Sequence, residues 1–197
     1  MRFSTAATTV LSLLATTTAM APTHEQAQEV FQPESNPQLK LADYLTIDQH
    51  LGVYFSYLRE SKALGSRLLT PNAQTTIFAP TNHAIMSMDR LPHKGPAGEA
   101  EDFQTLDEEK ARAQYLEKWV SRYLVDAPSV DLSQGSVDSL VEHNPITFKS
   151  VKSSKEPDYE SVEVGPAAGD EPVKIVERLE AADGVLYKID GVLTLQQ

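Results

Sequence analysis

The chain has 197 residues, enough for one domain with a sizeable core, and 28 acidic against 17 basic residues give a formal net charge of −11. Such a charge repels phosphate backbones, which excludes nucleic acid as a main partner and anchoring to anionic lipid by basic charge. There are no cysteines, so a secreted form must hold by its core without disulfides, and a thiol nucleophile is excluded.

Residues 1–21 read as a secretory signal. Arg2 supplies the positive start, residues 6–15 form a weakly apolar, Thr-rich stretch, and Ala19 and Ala21 offer processing sites, so cleavage is expected near 19–21. The stretch is too short and Thr-rich to span a membrane in a mature chain. The end at Leu195-Gln196-Gln197 has no hydrophobic tail, so no GPI anchor is expected. No asparagine has Ser or Thr two residues on, so no N-glycosylation acceptor is expected. Residues 22–38, with Pro22, Pro33 and Pro37, read as a flexible lead-in to a single domain over 39–197.

Leu41 to Leu45 reads as one or two helical turns. Thr46-Ile47-Asp48-Gln49 has capping-box spacing and predicts a helix start, with Leu51, Tyr54, Phe55 and Leu58 following at helical period. Ala63, Leu64, Leu68 and Leu69 extend an apolar surface up to the break at Thr70-Pro71-Asn72. The block Thr76-Ile77-Phe78-Ala79-Pro80-Thr81-Asn82 predicts a half-buried strand that stops at Pro80, which cannot donate to a ladder. Thr81 or Asn82 then caps a short helix over His83 to Met86. Leu91 to Ala100 is a Pro/Gly loop.

Thr105-Leu106-Asp107-Glu108 is a second capping box, opening a helix whose stripe is Ala113, Leu116 and Val120 beside Tyr115, Trp119 and Tyr123. An aromatic stripe at this spacing is core rather than a ligand platform. Strands are predicted at Val125 to Ala127, Ser136 to Val141, Ile146 to Val151 and Tyr159 to Val164, with loops over 153–158 and 165–172. Val173 to Leu179 and Val185 to Ile189 form a hairpin about Asp183-Gly184. Asp190-Gly191 allows a further bend before Val192 to Leu195 continues as strand. Helices concentrate in the first half and strands in the second, which is an α+β pattern.

The search for chemistry is negative. No Gly-x-Ser-x-Gly elbow, Gly-rich phosphate loop or calcium-loop spacing occurs, and His24, His50, His83, His93 and His143 lack metal-ligand spacing. Neither a catalytic residue, a metal nor a cofactor is therefore expected. A carboxylate pair assembled only by folding is the one enzymatic alternative.

The block from Thr76 to Asn82 and the block from Asp183 to Leu193 resemble, in this order, the two signature boxes of the fasciclin domain. The intervening helix with Trp119 and the stretch Ser129-Val130-Asp131-Leu132 follow in the family's order. A short, cysteine-free, single-domain chain of this kind is similar to the small fasciclin proteins of fungi, some of which are vacuolar. The resemblance implies a β-wedge or sandwich of short strands with helices packed around it. It also implies a non-enzymatic role in adhesion or ligand binding, outside the cell, in the wall or in the vacuolar lumen, with a protein, glycan or lipid partner. It makes Thr76, Phe78, Ala79, Pro80, Thr81, Asn82, Gly184, Asp190 and Gly191 signature residues of mainly structural use. Where the family usually carries Tyr-His, this chain has Tyr123-Leu124, unlike the animal relatives in which that region is linked to integrin binding. The long loops and an exposed edge at Tyr123 and Asp126 are the candidate contact residues. A small-molecule or lipid carrier with an apolar pocket is the alternative.

Overall fold

The computed structural model describes residue 36 and residues 38–95, 106–150, 158–168 and 172–195. Three helices come first: α1 (Leu41–Ile47), α2 (Gly52–Glu60) and α3 (Lys62–Leu69). Strand β1 (Thr75–Pro80) and helix α4 (Asn82–Met86) follow, then the long helix α5 (Leu106–Ser121). The remaining strands are β2 (Leu124–Val125), β3 (Ser136–Asp138), β4 (Pro145–Ser150), β5 (Val162–Gly165), β6 (Val173–Ala181) and β7 (Gly184–Ile189).

The seven strands among the described residues join one sheet in the order β2-β1-β7-β6-β5-β4-β3. The two signature blocks, more than a hundred residues apart, become neighbours at its centre. β1 runs parallel to β7 with Thr75 opposite Gly184, Phe78 opposite Tyr187 and Pro80 opposite Ile189. Every other pairing is antiparallel. Both central strands are buried along their whole length, which is why they read as continuous apolar runs rather than as alternations.

The parallel pair separates two layers, because successive side chains on a strand point to opposite faces. On one face Lys188 reaches the C-terminal end of α1 at Asp48. On the other, Phe78 stacks on Tyr187 with ring centroids 5.0 Å apart and 11° between planes, and Phe148 of β4 lies 5.6 Å from Phe78. The seven strands therefore enclose an aromatic layer on one side and carry the helices on the other.

Several local readings change. The capping box at Thr46 to Gln49 starts no helix: α1 runs through Ile47, Asp48 is its C-terminal cap, and α2 begins at Gly52. Tertiary demand wins here, because Asp48 is needed as a buried anion. Ala113 is exposed, and α5 buries only Leu116, Trp119 and Val120 along its length. The segment expected as strand from Tyr159 opens with a 3-10 turn over Asp158–Ser161, and pairing starts at Val162. Val192 to Leu195 forms no strand; its ladder contact is a single bridge from Leu193 to Ala167. β2 ends at Val125 and β3 at Asp138. The second capping box depends on Thr105, which lies outside the described residues, as do the signal and most of the lead-in.

Candidate functional site

Thr81 and Asn82 of the first block each close one helix end. Thr81 accepts the amide of Ala84 at 3.2 Å and so caps α4, while Asn82 Oδ1 accepts the amide of Val53 at 2.9 Å and caps α2. Asn82 Nδ2 donates to the Gln49 carbonyl at 2.7 Å. Thr76 is buried and donates its hydroxyl to the Ala127 carbonyl at 2.9 Å. In the second block Asp190 accepts the Lys174 amide at 2.7 Å, fixing the chain where β7 ends. The glycines are demanded by close approach. A Cβ on Gly184, whose φ is +154°, would lie 1.8 Å from the Thr75 carbonyl oxygen, and one on Gly191 would lie 2.6 Å from Val173 Cγ2. Thr76, Thr81, Asn82, Gly184, Asp190 and Gly191 thus tie strands and helices to one another.

Sequence reading missed the charged cluster behind this framework. Lys188 is 5% exposed, and its ammonium meets Asp48 Oδ2 at 2.5 Å and Glu177. Asp48 is itself buried and accepts the His50 amide at 2.8 Å. Burial opposes the charge on Lys188, but hydrogen bonds to Asp48 and Glu177, with their charges, outweigh it and raise its pKa above the ordinary lysine value. The available signal was a lone cation inside the apolar run Val185 to Ile189, since lysine is almost never buried unless paired. The triplet joins α1, β6 and β7, with Asp48 and Lys188 buried and Glu177 partly exposed.

The expected edge at Tyr123 and Asp126 is divided. Tyr123 is fully buried; its hydroxyl accepts the Leu193 amide at 3.1 Å, and its ring lies 4.8 Å from Trp119 and 5.7 Å from Tyr54. Asp126 is exposed and pairs with Arg67, which also donates to Thr75 Oγ1 at 3.0 Å. Neighbouring Arg122 is buried and donates to the carbonyls of Thr194, Asn144 and Pro145 at 3.2, 2.9 and 3.0 Å. Arg122 and Tyr123 therefore fasten the chain end at Leu193 and Thr194 to the end of α5. Of the predicted stripe, Leu116, Trp119, Val120 and Tyr123 are core, whereas Tyr115 is half-buried and Ala113 exposed.

Two of the clefts among the described residues adjoin the long loops. The first, about 500 Å³, lies between residues 87–90 and the pair Ala167–Ala168 with Pro172, and Asp190 and Gly191 line it as well. It brings the approaches of both long loops together beside the second signature block. The second cleft, about 590 Å³, opens between the turns at Val130–Ser133 and Tyr159–Ser161, with Tyr187 among its lining residues. Among the described residues no group of three or more His, Asp or Glu side chains could hold a metal ion. No described helix is long and apolar enough to cross a membrane.

The element order, the parallel β1–β7 centre and the helical layer define an α+β fold of the FAS1 type. The fasciclin domain model matches residues 49–195, and the chain belongs to the fasciclin family. Among solved structures it is similar to a FAS1 domain pair from the insect cell adhesion molecule fasciclin I, with a TM-score of 0.51 and 10% identity. That match covers 81% of this chain and 52% of the insect chain, so this chain spans about half the length of that structure. Direct comparison with curated protein sequences finds no match.

Proposed function

We propose that this chain is a non-enzymatic fasciclin protein that enters the secretory route and works by surface recognition, as an adhesion or ligand-binding module. Its place of action is the cell surface, the wall or the vacuolar lumen, and its partner is a protein, glycan or lipid. Family membership supports the adhesion-type role, and the insect neighbour is by its description a cell adhesion molecule. The leader-like residues 1–21 support the route.

The observation that carries the recognition reading is the convergence of both loop approaches on the cleft beside Asp190 and Gly191. Its rim residues Ser87, Asp89 and Ala168 are exposed. Connecting segments held by a rigid scaffold are the usual place for binding residues. The test coats beads with the protein and measures their retention on the cells that make it. Retention that falls in the Asp89→Arg/Ala168→Arg variant, with its unfolding temperature unchanged, supports the reading. Equal retention of wild-type and variant beads, or none above uncoated beads, overturns it.

A further inference from the structure

The second cleft is the open end of the aromatic layer enclosed by the sheet. Its lining draws one side chain from each of four adjacent strands, a row that is staggered between β5 and β6, where Val164 pairs with Val173. Ser150 of β4 is the register partner of Val162 of β5, and Arg178 of β6 is the partner of Tyr187 of β7. Tyr187 is the residue whose ring stacks on Phe78 at 5.0 Å, so the cleft ends on the aromatic layer itself. The row faces away from α1, because its neighbour Lys188 points to Asp48. The turns carrying Leu132 and Tyr159 wall the row on two sides. At about 590 Å³ the space matches that of ordinary small-molecule sites.

The charges at the mouth select the ligand. Arg178 donates to Glu180 at 2.7 Å, so its cation is already matched. Asp131 is exposed, and its carboxylate accepts from Ser133, at 2.9 Å from the amide and 2.7 Å from the hydroxyl. Among the described residues, the Arg178 cation stands with the carboxylates of Glu180 and Asp131 at the mouth, within a chain of net charge −11. An anionic head group is repelled, whereas an uncharged one can donate hydroxyls to Asp131. From this geometry we infer that the cleft between Leu132 and Tyr159 binds a small uncharged amphipathic molecule, an apolar or aromatic body bearing hydroxyl groups, with its apolar end against Tyr187. This goes beyond recognition at the loop cleft and does not depend on it.

The test titrates the full chain with Nile red, an uncharged apolar fluorophore, and in parallel with the anionic fluorophore 1-anilinonaphthalene-8-sulfonate at low salt. The expected result is saturable 1:1 binding of Nile red with a blue shift, and at least about tenfold weaker binding of the sulfonate. Leu132→Glu, which makes one wall polar, and Ser150→Arg, which fills the row from an exposed position, should each weaken Nile red by about tenfold or more. Thermal unfolding checks that both remain folded, and Ser150→Arg alone suffices if Leu132→Glu does not fold. Absence of saturable binding, binding unchanged in the folded variants, or preference for the sulfonate overturns the inference. The Asp89→Arg/Ala168→Arg variant should bind Nile red normally, so failure at one cleft is distinguishable from failure at the other.

Discussion

Asn82 caps a helix that begins 30 residues before it: its Oδ1 accepts the Val53 amide at 2.9 Å while its Nδ2 donates to Gln49 at 2.7 Å. One side chain thus fixes the entry of α2 against the end of β1. Because Leu51, the local N-cap residue, offers no side-chain oxygen, the cap has to come from elsewhere in the chain. Asn82→Ala should cost about 1–2 kcal/mol, read from urea unfolding. Asn82→Asp keeps the acceptor for Val53 and loses the donor to Gln49, so it should lose less. Equal losses for the two substitutions would mean that the cap to Val53 contributes little.

Gly184 and Gly191 both stand where a Cβ meets a neighbour, but the neighbours differ. At Gly184 the obstacle is backbone, the Thr75 carbonyl 1.8 Å away, and relief requires parting β1 from β7. Gly184→Ala should cost more than about 4 kcal/mol and leave little folded protein. At Gly191 the obstacle is a methyl group of Val173, 2.6 Å away, so Gly191→Ala should cost about 1–3 kcal/mol. Val173→Ala removes that methyl and should recover part of the loss in a double-mutant cycle. Strict additivity of the two changes would show that the strain at Gly191 lies in the backbone instead.

These positions also show what the sequence made legible. Blocks 76–82 and 183–193 carry their information locally, in β-branched runs ended by Pro80 and in Asp-Gly turns, so strands, turn and hairpin could be read directly. That they pair with each other in parallel is a long-range fact that neither block's local pattern carries. Asp48 shows the opposite case. Its local context, Thr46 to Gln49, has the pattern of a cap, and its actual partner Lys188 lies 140 positions away. Tyr123, a candidate contact residue because it stands at the family's Tyr-His position, instead turns its ring inward to Tyr54 and Trp119. The cleft at Tyr187 was illegible for the same reason, since its lining comes from four strands and two turns.

Tyr54 and Tyr123 make neighbouring buried phenols with different consequences. The Tyr123 hydroxyl accepts the Leu193 amide, whereas the Tyr54 hydroxyl, also buried, has no hydrogen-bond partner among the described residues. Tyr123→Phe leaves a buried amide unpaired and should cost about 1–3 kcal/mol, while Tyr54→Phe should be neutral or mildly stabilising at pH 7. Burial raises both pKa values, with Tyr123 adding to the rise at Tyr54. A phenol held neutral in the fold, against an unfolded value near about 10, contributes stability that is complete below about pH 10 and declines as pH rises beyond it. Tyr54→Phe should therefore move the alkaline unfolding midpoint upward, followed by circular dichroism. A midpoint left in place would assign alkaline unfolding to other groups.

The Asp48–Lys188–Glu177 triplet should behave as a buried pair with a partly exposed third member. Lys188→Met leaves the Asp48 carboxylate buried without its cation and should cost about 3–5 kcal/mol at pH 7. Glu177 is 27% exposed, so Glu177→Gln should cost less than about 1 kcal/mol. Asp48→Asn combined with Lys188→Met removes both charges and should be at least about 2 kcal/mol more stable than additivity of the single changes predicts. Because the Lys188 pKa is raised in the fold, the stabilisation is complete below the unfolded lysine value near about 10.4 and is lost as pH climbs through the folded value. Urea denaturation of the four variants measures the cycle. An additive cycle, or a Glu177→Gln loss equal to that of Lys188→Met, would show that Lys188 is held by Glu177 at the surface and that Asp48 is supported by the His50 amide alone.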